Sequence, residues 1–255
     1  MRKKVVCVRS LVIGEGRPKI CVPLVAENRT ELAAELTALK GVPFDLVEWR
    51  ADYFKDLAVP DGMEEAARRI RETIGNAPVL FTLRTRNEGG LFLAGKGNAR
   101  YEEVLLHAAS LAETDLVDVE LFTAGEEAAH LTEKIRKCGC AVIGSSHDFA
   151  VTPSVEEMRG RLIRMQQAGM DITKLAVTPV CRLDVIRLME ATAEMEAYYA
   201  DRPFITMSMG SLGSISRVSG SLTGSAVTFG TVHAASAPGQ LPARELVGIL
   251  ELLRI

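Results

Sequence analysis

The sequence predicts a closed (β/α)8 barrel, and three observations carry that expectation. Short apolar runs recur along the whole chain, and longer amphipathic stretches separate them. No glycine- or serine-rich linker, charge block or low-complexity tract divides the 255 residues. Eight strand–helix units in a chain of this length match a parallel barrel, which typically takes ~250 residues. An open doubly wound sheet shares the alternation, but the sequence has no GxGxxG turn after its first strand. Residues 1–255 are therefore expected to form one domain.

The elements follow in order. Val5–Val8 and Leu11–Ile13 precede the first unit and are expected to pair as a hairpin closing the lower end of the barrel. The eight apolar runs are Ile20–Val25, Phe44–Glu48, Val79–Leu83, Leu116–Leu121, Ala141–Ser145, Ile172–Val177, Phe204–Met207 and Ala226–Phe229, all of strand length. Val155, Met158, Leu162 and Met165 share one helical face, behind Thr152-Pro153 as N-cap and first-turn proline. Leu183, Ile186 and Met189 open another helical stripe, and Leu246 through Leu253 form a last apolar helix.

Composition narrows the function. With 47% hydrophobic and 25% charged residues the chain reads as a soluble globular protein. A net charge of −3 argues against nucleic-acid or acidic-lipid partners, which need clustered positive charge. No apolar run reaches the roughly 20 residues that span a bilayer. Val5–Val8 is too soon interrupted by Arg9 to be a signal peptide, so a cytoplasmic protein is expected. The five cysteines, at 7, 21, 138, 140 and 181, contain no CxxC pair. Reduced thiols are expected, with neither a metal site nor a cofactor.

Polar residues recur in strand interiors and at the C-terminal ends of strands, the end that carries the active site in a barrel. Glu48 and Arg50 close the second strand on one face, as a structural ion pair or as site residues. Arg84 ends the third, followed by Glu88-Gly89-Gly90, and His147-Asp148 ends the fifth. Arg217, Ser236 and Gln240 fall in the loops after strands seven and eight, where barrels often bind anions.

Lys174 sits in Ile-Thr-Lys-Leu-Ala-Val. It is either a snorkelling lysine with a packed stem or an amine pointing into the barrel, desolvated and nucleophilic. Arg50, Arg84 or Arg217 nearby would further disfavour its ammonium form. His147 is either a ring satisfying backbone groups or a general acid–base. Met207 and Met209 are most simply packing, and in a barrel they would wall a pocket.

Taken in order, these residues resemble a known family. The motifs are Gly14-Glu15-Gly16-Arg17-Pro18-Lys19, Glu48-Trp49-Arg50-Ala51-Asp52, Thr82-Leu83-Arg84-Thr85 with Glu88-Gly89-Gly90, and Ser146-His147-Asp148-Phe149. They continue with Lys174-Leu175-Ala176-Val177, Thr206-Met207-Ser208-Met209-Gly210, Ile215-Ser216-Arg217 and Ser236-Ala237-Pro238-Gly239-Gln240. From end to end the chain resembles the type I 3-dehydroquinate dehydratases. The resemblance implies syn elimination of water from 3-dehydroquinate, giving 3-dehydroshikimate in the shikimate route to aromatic amino acids. It implies an imine between Lys174 and the C3 ketone, with His147 moving the C2 proton to the departing hydroxyl. It also implies Arg217 on the substrate carboxylate, and Glu48, Arg50, Arg84, Ser236 and Gln240 around the substrate hydroxyls. Glu88 would couple to His147, and the assembly would be a homodimer.

Pro23 departs from members with a substrate-contacting serine on the first strand, because proline offers neither hydroxyl nor N–H. With the final helix ending shortly before Ile255, no fused shikimate dehydrogenase domain is expected. Two rivals remain at this level: another lysine-imine barrel such as a class I aldolase, and a silent barrel acting as a scaffold. Arg84 with Glu88 and the 236–240 segment favour the dehydratase. The presence of both Lys174 and His147 disfavours the scaffold.

Overall fold

In the computed structural model, which describes residues 4–94, 99–232 and 236–254, the expected barrel is present. Strands β1 (Val6–Val8) and β2 (Leu11–Ile13) pair antiparallel, with Arg9 at φ 52° between them. The barrel staves are β3 (Lys19–Leu24), β4 (Leu46–Arg50), β5 (Val79–Thr82), β6 (Leu116–Glu120), β7 (Ala141–Asp148), β8 (Ile172–Val177), β9 (Phe204–Ser208) and β10 (Val227–Thr231). A short β11 (Leu241–Pro242) extends β10. Among the described residues the sheet runs β11-β10-β3-β4-β5-β6-β7-β8-β9, with all its pairs parallel. The seam between β9 and β10 is bridged by the Ala226 N–H donating to the Phe204 carbonyl at 2.8 Å. The Thr206 N–H adds a bond to Ser225 Oγ at 3.0 Å.

Strand parity divides the core in two. One set of side chains, including Val47, Trp49, Phe81, Val117, Val142 and Leu175, packs outward against the helices. The other set lines the interior: Cys21, Leu46, Leu80, Leu116, Ile143, Ile172, Ile205 and Val227 form an apolar floor. Val8 and Ile13 of the hairpin pack onto that floor and plug the lower end, as expected. Trp49 is 1% exposed and meets Phe54 and Phe81 edge-on at 5.8 and 5.4 Å. Burying such a ring stabilises the outer layer by roughly 1.5–3 kcal/mol.

The helices are α1 (Arg29–Ala38), α2 (Gly62–Ile74), α3 (Ala99–Ser110), α4 (Leu121–Ala124), α5 (Ala128–Lys137), α6 (Val155–Gln167), α7 (Arg182–Glu194), α8 (Gly220–Thr223) and α9 (Ala243–Leu252). Two expectations about them are corrected. Ser154, not Thr152, caps α6: its Oγ accepts the Glu157 N–H, while Thr152 Oγ1 donates to the Thr178 carbonyl. The Leu183/Ile186 stripe lies on the solvent side of α7, whose core face is Val185, Leu188, Ala191 and Thr192. Spacing of three identifies a helical face, but only the surroundings say which face is covered. As expected, β7 ends at His147-Asp148, with His147 paired in register with Ala176 of β8.

Candidate active site

Above the apolar floor the interior turns polar. Inward parity places Glu48 and Arg50 from β4, Thr82 from β5 with Arg84 just beyond it, Asp118 and Glu120 from β6, Ser145 and His147 from β7, and Lys174 from β8. Each strand supplies residues two apart, which share a face. Of these, Glu48, Arg50, Arg84, His147 and Lys174 border a cavity at the C-terminal ends of the strands. Its lining includes Glu48, Arg50, Arg84, Glu88, His147, Lys174, Ser236 and Gln240, walled by Phe149, Met207, Met209 and Phe229. Seven of the eight sequence-predicted site residues border it directly.

Lys174 is 4% exposed, so the snorkelling alternative does not describe it. Its Nζ lies 3.5 Å from Glu48 Oε1 and 3.6 Å from Asp118 Oδ2. The Phe229 ring centroid is 4.5 Å away. The sequence offered Arg50, Arg84 or Arg217 as neighbours that would disfavour its ammonium form, yet among the described residues the ion-pair partners of Nζ are two carboxylates. Arg84 shares one of these carboxylates with it. One Nη donates to Asp118 at 2.9 Å, and the other to Glu120 at 3.0 Å and Ser145 Oγ at 2.9 Å. Burial alone would lower the Arg84 pKa, but Asp118, Glu120 and Glu88 raise it well above the ordinary value.

His147 is held from one side. Its Nδ1 lies 2.8 Å from Glu88 Oε2, and its backbone N–H donates to that same oxygen at 3.0 Å. That leaves Nε2 as the ring nitrogen not engaged by Glu88, on a residue that lines the cavity. Burial, reinforced by Arg84, Lys174 and Arg50, holds the imidazole well below its ordinary pKa, which keeps it in the neutral form that can accept a proton. Burial also pushes the Glu88 carboxyl up to about 8 against the pull of Arg84. Gly89 and Gly90 make this geometry possible. A Cβ at 90 would lie 2.1 Å from the Arg84 carbonyl, and one at 89 would strike the Phe149 ring at 2.3 Å.

Arg217, at the end of the turn Leu212–Arg217, is 2% exposed and does not line the cavity directly. One Nη donates to the Pro238 carbonyl at 2.9 Å, the other approaches Met207 Sδ at 3.7 Å, and among the described residues Nε has no partner. No carboxylate pairs with it among the described residues, and burial lowers its pKa to about 10. A buried guanidinium without a counter-ion is an anion site in waiting. Arg50 is anchored differently, by two bonds to Asp52, with Nη1 donating to the Ser236 carbonyl at 3.2 Å. The Gln240 side chain closes the same loop, accepting the Ser236 N–H and donating to Ser236 Oγ.

Pro23 is buried on β3 beside Glu48 but does not line the cavity. The ladder from β3 to β10 ends at Cys21, two residues earlier, where a missing N–H costs little. Sequence reasoning overlooked Asp118, Glu120 and Phe229. Asp118 and Glu120 did leave a signal: two acids of equal parity inside the apolar run Leu116–Leu121. Phe229 left none, because an aromatic residue in a strand reads as core.

Fold and site together define a barrel enzyme with an amine and an imidazole at the cavity and a buried guanidinium nearby. The model for the type I 3-dehydroquinase family matches residues 20–255. The 3-dehydroquinate dehydratase of Salmonella typhimurium is 44% identical over 250 residues, 98% of each chain. That of Clostridium kluyveri is 42% identical over 98% of this chain and 97% of its own. A crystal structure of a type I 3-dehydroquinate dehydratase from Clostridium difficile, with covalently modified comenic acid, superposes with a TM-score of 0.93. It shares 42% identity and covers 99% of this chain and 98% of its own. The chain belongs to the type I 3-dehydroquinase family.

Proposed function

We propose that this protein is a 3-dehydroquinate dehydratase of the shikimate pathway, a carbon–oxygen lyase working through a Schiff base on Lys174. Family membership supports the substrate and the overall reaction. The observation that carries the mechanism is Lys174 Nζ, buried in the cavity wall one strand from His147.

In this reading Lys174 Nζ bonds to C3 of the substrate and the ketone oxygen leaves as water. The protonated imine is an electron sink that acidifies the C2–H. His147, neutral because it is buried, takes that proton and passes it to the departing hydroxyl on the same face. The product is 3-dehydroshikimate. Arg217 clamps the carboxylate, which would neutralise its unpaired charge. Glu48, Arg50, Ser236 and Gln240 border the cavity where the hydroxyls would lie. Arg84 borders it too, but with both Nη groups engaged it serves mainly to hold the carboxylates behind Lys174.

The same reading makes 1–255 a single barrel domain that acts in the cytoplasm as a homodimer. Among the described residues no helix is long and apolar enough to cross a membrane. Light scattering on the purified protein tests the dimer.

The decisive experiment is incubation with 3-dehydroquinate, following the conjugated-enone absorbance of the product. Borohydride added with substrate should inactivate the enzyme and leave one covalent mass on Lys174. A label mapped to any other lysine, or turnover with no trapped adduct, overturns the Schiff base.

A further inference from the structure

The proposed reaction gives Lys174 nitrogen a positive charge in two successive species. The ammonium must first give up a proton so that the amine can attack the ketone; that proton returns to the carbinolamine hydroxyl, which leaves as water and restores the charge as the iminium. The iminium in turn loses its charge when the C2 proton departs to His147. A fixed negative group beside Nζ would serve both species without importing charge into the barrel.

Two carboxylates approach Nζ, and they differ in what else they can reach. Glu48 lines the cavity and accepts from Thr82 Oγ1 at 2.9 Å, so it stays within reach of substrate. Asp118 does not line the cavity. It is 1% exposed and sits beneath Nζ. Oδ1 accepts from Ser145 Oγ at 2.5 Å, and Oδ2 accepts from Arg84 at 2.9 Å. Held this way and off the cavity lining, Asp118 meets Nζ without bordering the space a substrate would fill. Phe229 supplies the opposite kind of wall, with Nζ 4.5 Å from its ring centroid, within the range of a cation–π contact.

We propose that Asp118 and Phe229 form a cage for the Schiff-base nitrogen, Asp118 as its fixed counter-ion and Phe229 as its π face. Asp118 acts through Lys174 and is a positioning residue. This inference rests on the Schiff-base reading above. The groups that bear on Nζ from the packed elements are Cys21 on β3, Glu48 on β4, Arg84 after β5, Asp118 on β6 and His147 on β7. Of these, Asp118 is the carboxylate held off the cavity. Burial would raise its pKa, but Arg84, Lys174 and the Ser145 hydrogen bond outweigh burial and keep it ionised.

The test reads the protonated imine itself. Cyanoborohydride reduces iminium ions in preference to neutral imines, so trapping with 3-dehydroquinate should fall off on the alkaline side as the imine loses its proton. Removing a nearby opposite charge disfavours the charged form, so in Asp118→Asn that fall should move down by about 1 pH unit. Ser145→Ala removes a neighbouring hydrogen bond without removing charge and should leave the profile in place. Should Asp118→Asn fail to fold, Phe229 provides the independent arm. Phe229→Leu should shift the profile the same way, and Phe229→Tyr, which keeps a π face, should restore it. An unshifted profile in folded Asp118→Asn, or equal shifts in Phe229→Leu and Phe229→Tyr, overturns the cage. A wild-type enzyme that turns over without a trapped adduct removes the Schiff base and the cage with it. Wild-type trapping that the variants leave untouched removes the cage alone.

Discussion

One oxygen of Glu88 meets His147 twice, at the ring Nδ1 (2.8 Å) and at the backbone N–H (3.0 Å), so the carboxyl fixes both the ring and the strand that carries it. The pair has a legible pH signature. With the His147 pKa held below 6.5, the imidazole stays a neutral base as pH falls through the range where an ordinary histidine would protonate. The acid limb of kcat/KM should therefore lie below pH 6.5. Glu88, raised to about 8, gains its negative charge as pH rises through that value, which strengthens the adjacent imidazole as a base. Activity should climb through a step near pH 8 that belongs to the coupled pair and disappears in Glu88→Gln. A wild-type acid limb at or above 6.5, or a step that survives the substitution, contradicts this picture.

His147→Ala should separate binding chemistry from elimination. The variant keeps Lys174 and should still accumulate some imine under borohydride, while product formation falls by ~10²–10⁴-fold, the usual contribution of a positioned acid–base. Single-turnover quenching reads the two steps apart. A variant with wild-type kcat would place the base elsewhere.

Arg217→Lys should retain charge and lose the planar fork. Binding should weaken by about 1.5–3 kcal/mol, the range for a charged hydrogen bond. An analogue lacking the carboxylate should bind wild type and variant almost equally. If the analogue discriminates as strongly as 3-dehydroquinate does, the guanidinium acts through Pro238 and its loop and not through the carboxylate.

Arg84→Met should be a folding lesion before it is a catalytic one. The guanidinium neutralises Asp118 and Glu120 at 2.9 and 3.0 Å, with Glu88 at 3.5 Å, all of them buried. Removing one partner of such a buried network typically costs about 3–5 kcal/mol. Urea denaturation should show that loss. A loss under ~1 kcal/mol would mean that water or protonation of the acids compensates.

Pro23→Ser should lower the melting temperature and leave KM unchanged. The residue is buried beside Glu48 on β3, outside the cavity lining, and the proline ring limits the unfolded chain's freedom. A fall in KM at constant kcat would instead put the new hydroxyl against substrate.

The alternation of apolar runs was enough to give the barrel, its eight staves and the hairpin plug, because strand parity and helical spacing are local properties that a covered core imposes on sequence. The sequence also held the identity of the amine, the imidazole and the guanidinium, since a lysine or an acid inside an apolar strand is costly without a purpose. What tertiary structure alone decided was who faces whom. Leu183 and Ile186 look like core and lie in solvent, because only a neighbouring surface selects one helical face. Arg84 looks like a substrate ligand and is largely engaged by Asp118 and Glu120, which lie more than thirty residues further along the chain. Asp118 and Phe229 meet at Lys174 Nζ only because the sheet closes, bringing β6 and β10 to opposite sides of β8. Charge pairing across a closed barrel depends on distances that no linear spacing records.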